Sequence, residues 1–254
     1  MNDDRPNSYR ARWVFPIDGP PIANGVVTVV GQQISAVSAR SGDGETIDLG
    51  NVALLPAFVN AHTHLEFSLF DRPFGKLGES FSAWLKQVVA WRREQPAVQG
   101  QEQLALAQGL RESWSAGVGS LGEITTPLFA EAWQQRNAAV PGVRFLELLS
   151  LNPERVAPLT AAAEQFLASA NEMLIAGLSP HAPYTVHPDL LARAVRLSAE
   201  FAFPIAMHLA ESREELELLQ SQTGPLVELL KSLSAWYPDE LATSLSPLDY
   251  LWAL

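Results

Sequence analysis

Cysteine is missing altogether from the 254 residues, which excludes disulfides and thiolate metal ligands and leaves imidazoles and carboxylates as the strong ligands on hand. Cations are scarce: 17 Lys and Arg stand against 28 Asp and Glu, for a formal net charge of −11. That balance argues against a nucleic-acid partner, because phosphate backbones are met by clustered Lys and Arg. No apolar run approaches the roughly 18 residues that crossing a bilayer requires, so no membrane association is expected. The charged start, Met1 to Arg10, has no apolar stretch behind it, so neither a secretory signal nor a transit peptide is expected and a cytoplasmic location follows. Histidine is rare as well, at five residues, which makes its placement informative.

What is present describes a globular protein, 47% hydrophobic and 18% charged, with ample core. Residues 9–50 are cut up by Pro16, Gly19, Pro20, Pro21, Asn24-Gly25, Gly31 and Gly42-Asp-Gly44, with β-rich pieces such as Val26–Val30 and Ile34–Val37 between them. That composition predicts a small sheet with tight turns, and no chemistry is assigned to it. From residue 51 onward strand-like and helix-like stretches alternate, the pattern of βα units around a parallel sheet in an α/β fold. Strands are expected at 118–124, 143–149, 173–178 and 205–209 after a first one ending near residue 62. Helices are expected at 80–91, 126–137 and 188–201, and the stripe of Leu104, Ala107, Leu110 and Trp114 reads as core.

The first of these strands ends in Phe58-Val-Asn-Ala-His-Thr-His64. Residues i and i+2 of a strand face one side, so His62 and His64 point together and offer two neutral nitrogens to one divalent metal. Glu66 shares that face if the strand continues, which would make it a substrate contact. Two later apolar stretches also end in histidine, at His181 and His208. Ser212-Arg-Glu-Glu215 has the spacing of a capping box and places Glu211 at a strand-to-helix junction. His187, before Pro188, reads as a surface residue at a helix start. Glu123 and Glu147 lie near strand ends, lining a pocket or pairing with Arg144, and no role is assigned to them.

Taken together, Pro56-Ala-Phe-Val-Asn-Ala-His-Thr-His64, Ser179-Pro-His-Ala-Pro-Tyr184 and His208-Leu-Ala-Glu211 resemble the amidohydrolase superfamily, in its cytosine-deaminase-like and chlorohydrolase-like branch, from about residue 20 to about residue 233. His64-Leu-Glu-Phe-Ser68 looks like the aminofutalosine deaminases within it. The resemblance implies a (β/α)8 TIM barrel beside a small β-sandwich, with residues 1–50 as part of the sandwich and 51–254 as barrel. It implies one Zn²⁺ or Fe²⁺ on His62, His64 and His208, with Glu211 as the proton shuttle and His181 against the substrate ring. Lys76, Lys86 and Lys231 are the lysines, and none lies on the fourth strand, so a bridging carboxylated lysine is not expected and the site should be mononuclear.

The family also completes its site with a sixth-strand His and an eighth-strand Asp, and no such motif follows His208. About five barrel strands are counted, so the expectation is a barrel truncated before strand six, inactive as 254 residues alone and prone to pair edge to edge as a homodimer. The expected activity is deamination of an exocyclic amine on a purine- or pyrimidine-like small molecule by metal-activated water. The alternatives are a chlorohydrolase or ring-amide hydrolase on the same ligands, or a non-catalytic remnant or assembly subunit.

Overall fold

Asn24-Gly25 and Gly31 break the β-rich start of the chain as their chemistry suggests. Asn24 takes φ 51° and Gly31 φ 59°, left-handed values that Asn tolerates and Gly adopts freely. Around these turns lie β1 (Asn7–Arg10), β2 (Trp13–Val14), β3 (Ile22–Ala23), β4 (Val26–Val30), β5 (Gln33–Ser38), β6 (Thr46–Asp48) and β7 (Ala53–Leu54). They form two sheets, ordered β5-β4-β1-β6 and β3-β2-β7, with Ala11, Val14 and Val27 as a small apolar cluster. The computed structural model describes residues 6–40, 45–70, 72–94, 100–134, 141–171, 175–241 and 245–254, so the expected turn at Gly42 to Gly44 lies outside the described residues. Residues Met1–Phe58 form one unit and Val59–Leu254 a second.

The second unit is built on β8 (Phe58–Thr63), β9 (Val118–Thr125), β10 (Gly142–Leu148) and β11 (Ile175–Pro180), in the spatial order β11-β10-β9-β8. Strands β9, β10 and β11 run parallel, with Phe145 opposite Ile124 and Leu146 opposite Leu178. Gly122 lets β8 approach β9 closely, since a Cβ there would stand 2.1 Å from the Ala61 carbonyl oxygen. The expected strands at 118–124 and 143–149 are thus present. The start of the expected fourth strand, Met173 and Leu174, and the end of the expected helix at 135–137 lie outside the described residues.

Helices alternate with these strands: α1 (Phe81–Glu94), α2 (Gln101–Ser115), α3 (Pro127–Gln134), α4 (Val156–Ala168), α5 (Pro188–Phe201), α6 (Arg213–Ser221), α7 (Pro225–Ser232) and α8 (Pro247–Ala253). The larger core includes Leu148, Leu178, Leu190, Leu218 and Leu226, all at 1% exposure or less, and a second cluster gathers Leu65, Leu106, Leu121, Ala132 and Trp133. Each such leucine side chain contributes about 1.5–3 kcal/mol relative to an exposed one. Among the described residues no helix is long and apolar enough to cross a membrane.

The expected fifth strand is corrected. Residues 205–209 form no ladder: one bridge joins Leu178 to Ile205, and the segment follows β11 through Ala206 N–H to Leu178 O at 3.0 Å and His208 N–H to His181 O at 2.8 Å. An apolar run gives the propensity for a strand, but a ladder needs consecutive paired residues, and here the one bridge is at Ile205. Among the described residues the sheet holds four strands and does not close into a barrel.

Candidate metal centre

His62 sits on β8, and His64 one residue past its end, still extended at φ −126° and ψ 87°. Alternation therefore holds across both. His208 arrives on the extended segment beside β11, and one nitrogen from each of the three lies within 4.8 Å of the others. His62 Nε2 is 3.2 Å from His64 Nε2 and 3.0 Å from His208 Nε2. Around a tetrahedral divalent ion with metal–nitrogen bonds near 2.0–2.1 Å, ligand nitrogens stand about 3.3 Å apart. The two contacts are close to that spacing.

Protonation agrees with ligation. His208 Nδ1 is 3.1 Å from the His181 carbonyl oxygen. A carbonyl only accepts, so Nδ1 carries the proton and Nε2 presents its lone pair. Burial, then the neighbouring His208 and His62, push His64 down to about 3, and burial followed by His208 lowers His62 as well. His62 and His64 are thereby favoured in the neutral form a metal requires. His64 Nδ1 is buried with no hydrogen-bond partner among the described residues, and it is the opposite nitrogen, Nε2, that meets the other imidazoles. The donor set fits one divalent ion.

Glu211 lines a cleft of about 370 Å³ together with His62, His208, Ser179 and Met207. Tyr184, 1% exposed, donates its hydroxyl to Glu211 Oε2 at 3.1 Å, and burial followed by that carboxylate raises the Tyr184 pKa. His181 is fixed by Thr185: the Thr185 hydroxyl donates to Ala182 O at 3.1 Å, so its oxygen accepts the His181 Nδ1 proton at 2.7 Å. The imidazole keeps Nε2 bare, and burial holds its pKa down at about 3.

Glu66 departs from expectation. The strand stops at Thr63 and the chain turns into a 3₁₀ helix at Leu65–Phe67, which removes the alternation that would have aimed Glu66 beside the His pair. Its carboxylate pairs with Arg92 of α1 and accepts the Thr126 hydroxyl at 3.3 Å. Arg92 also stacks over Phe67, 4.9 Å from the ring centre. His187 is a correction of another kind: it is buried, its Nδ1 accepting the Asp189 N–H at 3.1 Å and its Nε2 donating to Glu240 at 3.0 Å. An imidazole does there what a serine or threonine cap would do, with a second bond added.

Buried groups behind the site carried no assignment in the sequence. Both oxygens of Glu123, 1% exposed, accept the Leu65 N–H at 3.1 and 3.2 Å, directly after His64. Burial pushes Glu123 up to about 8, while the Leu65 N–H and Arg144 pull it back. Burial raises Glu147 too, against the pull of Arg92 and His208. Tyr184 closed a visible motif and Thr185 follows it directly, but Arg92 is 26 positions from Glu66 and no local pattern links them.

Among known proteins, an adenosine deaminase of Helicobacter pylori is 33% identical over 176 residues, which is 68% of this chain and 42% of the relative. An aminodeoxyfutalosine deaminase of Deinococcus radiodurans is 29% identical over 244 residues, 89% of this chain and 56% of the relative. The chain spans about half the length of these curated relatives. The crystal structure of Helicobacter pylori aminofutalosine deaminase in complex with methylthio-coformycin superposes with a TM-score of 0.77 at 24% identity, covering 97% of this chain and 61% of that one. The atrazine chlorohydrolase from Arthrobacter aurescens, complexed with zinc, gives a TM-score of 0.69 at 16% identity, covering 92% and 59%. These likenesses establish a TIM-barrel-like α/β fold. The amidohydrolase family model matches residues 53–235, a span that includes the three histidines, His181 and Glu211, and the chain belongs to that family.

Proposed function

We propose that the site hydrolyses a carbon–nitrogen bond, removing an exocyclic amine from a purine-like ring, with one divalent metal on His62, His64 and His208. The observation that carries this is the convergence of three imidazole nitrogens beside one cleft carboxylate, Glu211. Zn²⁺ and Fe²⁺ both suit an imidazole donor set without thiolates. Bound there, such an ion lowers the pKa of water towards neutrality.

The remaining steps fall to side chains. Glu211 takes the proton of the attacking water at Oε1 and hands it to the departing nitrogen, while the Tyr184 hydroxyl holds Oε2 in place. His181, neutral and locked by Thr185, offers its bare Nε2 as acceptor to an N–H of the exocyclic amine. Glu66 is committed to Arg92 and the Thr126 hydroxyl and is given no step here. The substrate class is a purine nucleoside, in keeping with relatives named for deaminating adenosine, aminodeoxyfutalosine and 5-methylthioadenosine.

We read β8 to β11 and residues 205–209 as consecutive members of a (β/α)8 barrel, with residues 1–50 as part of a small sandwich ahead of it. Phe58 and Val59 of β8 are 60% and 69% exposed, apolar strand surface of the kind that a closing strand or a second copy of the chain covers. Ammonia release from adenosine and 5′-methylthioadenosine by the metal-loaded protein carrying these residues is the test. Ammonia production that Glu211→Gln abolishes is the expected result. Chloride release from a chlorinated ring, with no ammonia from any adenine nucleoside, would move the activity to the chlorohydrolase alternative.

A further inference from the structure

We infer that Glu215 is the positioning residue of the proton-transfer group: its buried carboxylate grips the backbone N–H groups of Ala210 and Glu211 and fixes the turn that presents Glu211 to the cleft. Glu215 is 0% exposed. One oxygen accepts the Ala210 N–H at 3.1 Å and the other the Glu211 N–H at 2.7 Å, so each half of the carboxylate is committed to a different peptide. Hydrogen bonds from N–H groups to an ionised carboxylate are the stronger kind.

The turn needs such a hold. Ala210 takes φ 58°, a left-handed conformation that a residue with a Cβ adopts only when its surroundings over-determine it. Without that reversal between His208 and Glu211 the chain would carry on in the extended direction of residues 205–209. With it, Glu211 lines the same cleft as His62 and His208 and lies within reach of the Tyr184 hydroxyl.

Helix capping alone does not account for these bonds. In a capping box the N3 carboxylate returns to the N–H of the N-cap residue. Here Ser212 does its half, accepting the Glu215 N–H at 3.2 Å, but the Glu215 carboxylate is spent on the two residues before the cap. The neighbouring Glu214 points elsewhere and accepts the Ser82 N–H at 3.0 Å, at the start of α1. The first turn of α6 is therefore anchored to α1 by one carboxylate while the next carboxylate holds the turn that carries Glu211.

The catalytic consequence rests on Glu211 as the proton carrier, whereas the geometry does not, and the experiment separates the two. Amide hydrogen exchange measured by NMR on the metal-loaded protein follows Ala210 and Glu211 directly, with the amides of residues 216–221 in α6 reporting on folding. Glu215→Gln keeps the volume but sets an NH₂ group against one of the two N–H donors. It is expected to speed exchange at Ala210 and Glu211 on the order of 10- to 100-fold, leave residues 216–221 within about 3-fold, and lower kcat with KM unchanged. The double variant Ala210→Gly with Glu215→Gln should recover part of that kcat, because glycine takes φ 58° without strain. Should Glu215→Gln fail to fold, Glu215→Asp, which withdraws the carboxylate by one methylene, is measured in its place with the same expectations. Unchanged exchange at both amides would overturn the inference, and so would a double variant as impaired as the single. Absence of ammonia from every nucleoside would count against the proposed function alone, since the exchange rates need no turnover.

Discussion

The turn after His64 and the turn after His208 are each backed by a buried carboxylate, and the two are held in different ways. Behind His64, Glu123 gives both oxygens to the single N–H of Leu65. Behind His208, Glu215 divides its oxygens between Ala210 and Glu211. The rings explain the contrast. His208 is oriented through its own Nδ1 on the His181 carbonyl, so the carboxylate behind it is free to hold the next functional group along. His64 has no partner at Nδ1, and its direction comes from the backbone that Glu123 pins. A metal ligand is thus aimed through its ring in one turn and through its peptide in the other.

That contrast can be broken in order of expected size. The largest effect belongs to Glu211 itself: Glu211→Gln should retain metal and lose on the order of 10²- to 10⁴-fold in kcat, the usual contribution of a positioned proton-transfer group. Turnover at the wild-type rate would remove Glu211 from the mechanism. Next, Glu123→Ala should weaken metal affinity about 10- to 100-fold, as losing a group that orients a ligand generally does, whereas Glu215→Ala should leave affinity within about 3-fold. Calorimetric metal titrations that give equal losses for both would erase the distinction between the two turns.

Acid–base behaviour supplies a smaller effect. The folded-state pKa of Glu123 lies at about 8 against an ordinary 4.5, so the folded protein binds more protons than the unfolded chain between those values. Its contribution to stability is complete below about 4.5 and is lost as pH rises through about 8. Arg144 and the Leu65 N–H, which face the carboxyl, oppose the shift without cancelling it. Urea midpoints between pH 5 and 9 should therefore fall less steeply for Glu123→Gln than for the wild type, while Glu147 and Glu215, raised in the same sense by burial, keep some slope in both. Identical slopes would mean that Glu123 is ionised throughout. Smallest of all, Ser212→Ala should cost about 1 kcal/mol of stability, the value of one N-cap bond, since Glu215 does not return to it. A cost of several kcal/mol in denaturant unfolding would show that the cap and the Glu211 turn are one unit.

How far the sequence could foresee this site depends on the range of the forces involved. His62 and His64 were legible because period-two geometry is local and survives the end of β8 at Thr63. Glu211 was legible as a junction residue because Ser212 is a strong cap signal. Glu66 was not, because its direction depends on a 3₁₀ turn that the flanking residues do not announce. The strand expected at 205–209 failed for a related reason: propensity is read from one segment, a ladder only from two. The position of Glu215 at N3 was visible, but its target was not, since that requires a left-handed alanine two residues before the cap. Arg92 reaches Glu66 through tertiary packing, to which periodicity is blind.

The central claim is that His62, His64 and His208 hold a single divalent ion. Isothermal titration of the metal-free protein with Zn²⁺, run beside His208→Ala, tests it most directly. One equivalent bound per chain, with His208→Ala weakening it by at least tenfold, is the result expected of three converging imidazoles. Less than half an equivalent in the wild type, or an affinity that His208→Ala leaves unchanged, would contradict it.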